Sequence, residues 1–256
     1  MTSLRHRMSR YAGMRRFGYA SRFGYASRFG CALTLFAVMT SGAGARPIAF
    51  ADGVTIMSEY GAETMREYQA FYAPSYRYSF GAGHLSFKSH IPAGAPGHSH
   101  GAPSLTDTEM THGVTYLRFN YLPKRWNLEN AQANIFVWAS AGQVRDGTDD
   151  LEFAGNVGGQ FDYETRRVYA SLRTDLHESS FFRHRIDTVQ LGVAPYKHDY
   201  DTMALWFLVQ ARQYSGELLH HGTELSALVR LFKRKSWIEA GVTQEGRVQA
   251  MLMFNF

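Results

Sequence analysis

The chain has 256 residues, with 27 Lys+Arg against 22 Asp+Glu, a formal net charge of +5 and one cysteine. A single cysteine excludes a disulfide framework, and no run of 18 or more apolar residues follows residue 51, which excludes a helical membrane protein. The basic excess sits in residues 1–51, which hold eight of the 27 Lys+Arg and no acidic residue. The remainder therefore carries 19 basic against 22 acidic groups, and nucleic acid is not an expected partner.

Residues 1–51 read as a signal peptide. Arg5, Arg7, Arg10, Arg15, Arg16, Arg22 and Arg28 precede an apolar run at 31–39, followed by small residues and the candidate cleavage site Ala49-Phe50-Ala51. Within this segment Arg-Phe-Gly-Tyr-Ala-Ser occurs twice, from Arg16 and from Arg22, and the single cysteine, Cys31, would leave with it. One domain is then expected over residues 52–256.

Along that domain, alternation of apolar and polar residues recurs between turn residues. In residues 151–163, Leu151, Phe153, Val157 and Phe161 take one face while Glu152, Asn156, Gln160 and Asp162 take the other. A period of two is a strand, since a helix so patterned has no apolar side. Strands are predicted over 53–60, 66–80, 83–91, 113–122, 133–144, 151–164, 167–177, 184–196, 202–214, 223–233, 236–242 and 247–256. Residues 59–69 also fit a short helix or an N-terminal plug, which would leave ten strands.

Short connections are expected at 81–82, 123–132, 165–166, 197–201 and 234–235. Longer ones are expected at 61–65, 92–112, 145–150, 178–183, 215–222 and 243–246. The ten residues at 123–132 are too many for a turn at the short end. Val189, Leu191 and Val193, Leu205, Phe207 and Val209, and Leu225, Ala227 and Val229 mark an apolar outer face. Tyr121, Trp126, Tyr196, Tyr214 and Trp237 suit aromatic girdles at its edges.

The last strand carries Val248, Ala250, Leu252, Phe254 and Phe256 on one face and Gln249 and Asn255 on the other. Such a strand needs partners at both edges and an apolar medium on its outer face, and a closed barrel in a bilayer supplies both. Gln249, Phe254 and the terminal Phe256 resemble the C-terminal assembly signal of Gram-negative outer-membrane β-barrels, although Met251 stands where that signal often has glycine. The resemblance implies an all-β, transmembrane, antiparallel up-and-down barrel of about twelve strands. It also implies the cell outer membrane as location, with outer-membrane lipids and the barrel-assembly machinery as partners.

The expected lumen holds Arg118, Arg167, Arg173, Arg212 and Arg230 beside Asp175, Asp187 and Glu224. As fixed charges along a pore they suit a channel for a small polar solute, and as pairs across strands they would fill the barrel instead. Histidines gather in the predicted long loops, and His98 and His100 are candidate copper or zinc ligands, which suits a non-conducting barrel that is structural or metal-capturing. Ser99, within Gly97-His98-Ser99-His100-Gly101, matches a hydrolase nucleophile pattern but lacks the strand-to-helix turn that such a serine needs. Neither enzymatic activity nor a cofactor is expected.

Overall fold

The alternating segments form strands that hydrogen-bond in sequence order. A computed structural model describes residues 52–61, 65–91, 108–145, 151–180, 182–198, 201–216 and 222–256. Residues 1–51, together with His98, Ser99 and His100, lie outside the described residues. Among the described residues there are twelve strands: β1 (Gly53–Gly61), β2 (Met65–Ser75), β3 (Tyr78–Ile91), β4 (Thr108–Asn127), β5 (Gln132–Arg145), β6 (Leu151–Glu164), β7 (Val168–Ser179), β8 (Arg183–Val193), β9 (Ala204–Gly216), β10 (Gly222–Lys233), β11 (Ser236–Thr243) and β12 (Val248–Asn255). Each pairs antiparallel with the next, and β1 pairs with β12, so the sheet closes as an up-and-down barrel with no free edge.

The closing seam runs from Thr55↔Asn255 to Gly61↔Gln249. It is extended by Phe256, whose N–H donates to the Val54 carbonyl at 2.9 Å, and locked inside by Thr55 Oγ1 donating to Asn255 Oδ1 at 2.7 Å. The segment that also fitted a helix or plug is therefore the end of β1 and the start of β2.

Alternation assigns the faces. Leu117 is 71% exposed, Phe153 68% and Val209 61% on the outer wall, whereas Phe136, one strand away, points inward and is fully buried. Of the residues expected in a girdle, Tyr121, Trp126 and Tyr196 are exposed near the short-turn end. Tyr214 and Trp237 are not part of it, because they fall on the inward parity of β9 and β11 and are buried.

Two connections differ from expectation. The β2–β3 turn is at 76–77 rather than at 81–82. Gly81 lies inside β3 opposite Phe71, where an added Cβ would stand 1.9 Å from the Ala70 carbonyl oxygen. This glycine therefore allows close strand approach and makes no turn. The overlong connection at 123–132 is mostly strand: β4 continues through a register shift between Tyr121 and Lys124, at Pro123, which has no N–H for the ladder. Only 128–131 turns, closed by Leu128 N–H to the Ala131 carbonyl at 2.8 Å.

The seam predicts a cross-link. In a chain with Cys31→Ser, Ile56→Cys and Phe254→Cys should form a disulfide on mild oxidation, because the two positions are directly opposed. Ile56→Cys with Ala250→Cys should not, and a reducible mobility change on denaturing gels distinguishes the pairs.

Candidate functional site

The inward residues form apolar clusters interleaved with buried polar groups. At the long-loop end Met65, Leu85, Phe87, Val114, Phe182 and Ile186 are buried together. At the short-turn end Tyr169, Trp206, Leu208 and Leu228 form one apolar cluster, Leu122, Phe136 and Trp138 a second, and Trp237, Met251 and Met253 a third. Polar and charged side chains fill the space between these clusters and extend toward both ends, from Glu224 near the long loops to Asn134 and Asp162 near the short turns.

The polar groups of β8 to β12 form a hydrogen-bonded network. Arg230 on β10, 1% exposed, donates from Nε to Glu239 Oε2 at 2.7 Å and from Nη2 to Gln190 Oε1 at 3.0 Å. Gln190 Nε2 reaches Glu239 Oε1 at 3.1 Å and Gln210 Oε1 at 2.9 Å, and Gln210 Nε2 reaches Gln249 Oε1 at 3.0 Å. Gln249 then donates to Glu224 Oε1 at 2.5 Å, and Glu224 Oε2 accepts from Arg247 Nη2 at 3.1 Å. The chain of contacts thus crosses five strands, and it gives Gln249 a role inside the barrel beyond its place in the C-terminal pattern.

The other guanidinium groups are held separately. Arg212 Nη2 donates to Glu59 Oε1 at 2.6 Å. Arg173 Nε donates to Asp175 Oδ2 at 2.6 Å, while Trp138 Nε1 donates to Asp175 Oδ1 at 2.9 Å. Arg118 donates from Nε to Asn120 Oδ1 at 2.9 Å and lies 4.5 Å from the Trp138 ring centroid. Arg230 lies 4.6 Å from both the Tyr169 and Trp237 ring centroids, so aromatic faces replace part of its lost hydration. A cavity of about 90 Å³ remains among Arg118, Arg173, Arg212 and Arg230, room for several water molecules.

Two expected lumen residues are elsewhere. Arg167 precedes β7 and is exposed at the short-turn end, where its Nε donates to the Ala194 carbonyl at 3.4 Å and its Nη2 to that of Pro195 at 3.2 Å. Asp187 shares the parity of Val189 and Leu191, so it faces the outer wall, where Oδ1 accepts from Thr174 Oγ1 at 2.6 Å and Oδ2 lies 2.8 Å from Arg185 Nε. Arg118, Arg173, Asp175, Arg212, Glu224 and Arg230 do point inward. The sequence reading missed Glu59 and Glu67, although the alternation Thr55, Met57, Glu59 and Met65, Glu67, Gln69 carried the signal.

Inside the long-loop end, His177 stacks on His184 with ring centroids 4.7 Å apart, and His184 stacks on Phe182 at 4.9 Å. His112 stacks on Phe87 at 5.1 Å. Among the described residues no group of three or more His, Cys, Asp or Glu side chains could hold a metal ion. These rings pack as part of the apolar closure.

Removing one partner of a buried pair leaves an uncompensated charge. Arg230→Ala should therefore cost about 3–5 kcal/mol of stability in denaturant unfolding, and Arg230→Met with Glu239→Leu should recover most of it. Arg185→Ala, on the half-exposed wall pair, should cost about 1 kcal/mol or less. No protein-family model and no curated protein sequence matches the chain.

Proposed function

We propose that this protein is an outer-membrane β-barrel, exported by its N-terminal segment and folded by the barrel-assembly machinery, that works at its outer wall and rim rather than as an open pore. The apolar wall supports the membrane reading, since a sheet closed on itself satisfies its own backbone hydrogen bonds and leaves side chains alone to meet lipid. The burial of the inward polar groups carries the functional reading. Arg230 is 1% exposed and Asn120, Asn134 and Asp162 are fully buried, whereas groups lining a water-filled passage would be wet. Three of the arginines expected to border a solute path instead bind carboxylates, and apolar clusters are interleaved with them inside the barrel.

One observation favours the small-solute channel as a second reading. The central cavity is bordered by Arg118, which forms no ion pair among the described residues, so a small anion could bind there. Copper or zinc capture rests on His98 and His100 alone, and calorimetry on His98→Ala/His100→Ala tests it.

Planar-bilayer recording separates the two readings. The wild type should insert without steady conductance, and steady ohmic steps at moderate voltage would overturn the closed-lumen proposal. For the membrane reading, Val209→Arg should disfavour assembly by about 2–4 kcal/mol, read as loss of heat-modifiable migration, because it sets a charge against lipid near the midplane.

A further inference from the structure

On the outer wall, three polar side chains form a hydrogen-bonded relay outside the lumenal network. His84 on β3 lies with Nε2 3.1 Å from Ser86 Oγ and Nδ1 2.9 Å from Thr115 Oγ1 on β4. The strand period brings them together: His84 and Ser86 are two residues apart on one face, and Thr115 is the register partner of His84. With the imidazole proton on Nδ1, Thr115 accepts that proton's hydrogen bond and fixes the ring, while Nε2 accepts from the Ser86 hydroxyl. This is the order nucleophile, base, orienting group.

The surroundings suit a reaction. Gly113 is the register partner of Ser86, and a Cβ there would stand 3.3 Å from His84 Cε1 and 3.6 Å from Nε2. The glycine leaves open the space beside the reactive edge of the ring. On the other side, Arg66 of β2 is the register partner of Ser86, with its guanidinium held 5.4 Å from the Tyr60 ring centroid on β1.

The position along the wall selects the substrate. On β3 the outward residues change from Phe80 and Ala82 to His84 and Ser86, and on β4 from Phe119 and Leu117 to Thr115. On β5 they change from Ala139 and Ala141 to Gln143, the register partner of Thr115. The relay therefore stands where the apolar band meets the polar rim at the long-loop end. In a bilayer that is the level of the ester carbonyls, between acyl chains and headgroups.

We infer that His84, Ser86 and Thr115 form a lipid-facing acyl-ester hydrolase site, acting on long-chain esters of the outer leaflet. The inference rests on the membrane reading above. Ser86 Oγ attacks the ester carbonyl carbon as its proton passes to His84 Nε2. The carbon–oxygen bond to the alcohol breaks, the alcohol leaves with that proton, and an acyl-serine remains. Water then attacks the acyl-serine, giving its proton to Nε2, and the fatty acid departs as Ser86 regains its proton. Ester and water are consumed, and acid and alcohol are formed.

The test uses protein purified from membranes of expressing cells. A long-chain fluorophosphonate should label the wild type at Ser86, located by peptide mass spectrometry, and should not label Ser86→Ala. Fatty-acid release is measured from phosphatidylethanolamine vesicles and, separately, from lipopolysaccharide micelles, and release from either identifies the source of the ester. His84→Ala should lower the rate about 10²–10⁴-fold. Thr115→Val, which acts by positioning the ring, should lower kcat about 10–100-fold with KM unchanged. Neither label nor release from a heat-modifiable wild type, or equal release by Ser86→Ala, overturns the site. A wild type that partitions into the aqueous phase in detergent phase separation would instead refute the membrane reading.

Discussion

A strand that carries Val248, Leu252, Phe254 and Phe256 on its outer face must find hydrogen-bond partners along both edges, and nothing else in the fold can be set until it does. β11 supplies one edge and β1 the other, with Phe256 and Val54 exchanging the last bonds of the seam. Closure fixes the parity of every strand, because a slip of one residue would turn a whole strand's charges toward the wall. The interior then follows from which side chains alternate inward.

Those side chains determine what the barrel does. Twelve strands enclose a space wide enough for a passage, and here Trp138, Trp206, Tyr169 and Trp237 occupy much of it. The four inward arginines could have lined a pore, but Glu59, Glu239 and Asp175 bind three of them, and aromatic faces cover Arg118 and Arg230. A conducting interior would need several of these buried pairs separated and rehydrated together. This leaves the outer wall as the surface where proposed chemistry would meet a substrate, and the His84–Ser86 relay is found there.

The fold was legible because alternation is a strong signal when one face meets an apolar medium and the other a packed interior. The failures have local causes. Gly81 suggested a turn, but a glycine in a strand also permits close approach of a neighbour, and only the register with Phe71 distinguishes the two. The charge of Asp187 suggests an inward position, but the parity of Val189 and Leu191 sets it on the wall, where it pairs with Arg185 near the long-loop end. Arg118, Arg212 and Arg230 were recognised as inward, but their partners lie on other strands, and Glu59 and Arg212 are joined across 153 residues. The relay shows the same limit: His84 and Ser86 are close in sequence, yet Thr115 becomes their neighbour only through strand pairing.

The central claim is a barrel with lipid outside and a packed interior. Nitroxide labels placed singly along β9 at Phe207, Val209 and Ala211 and at Leu208, Gln210 and Arg212 test both halves at once in reconstituted membranes, read by collision with oxygen and with a polar nickel chelate. The account predicts high oxygen and low chelate accessibility at the first three sites and low accessibility to both reagents at the other three. Chelate access at the inward sites would contradict the packed interior, and chelate access at Phe207 and Val209 would contradict the membrane wall.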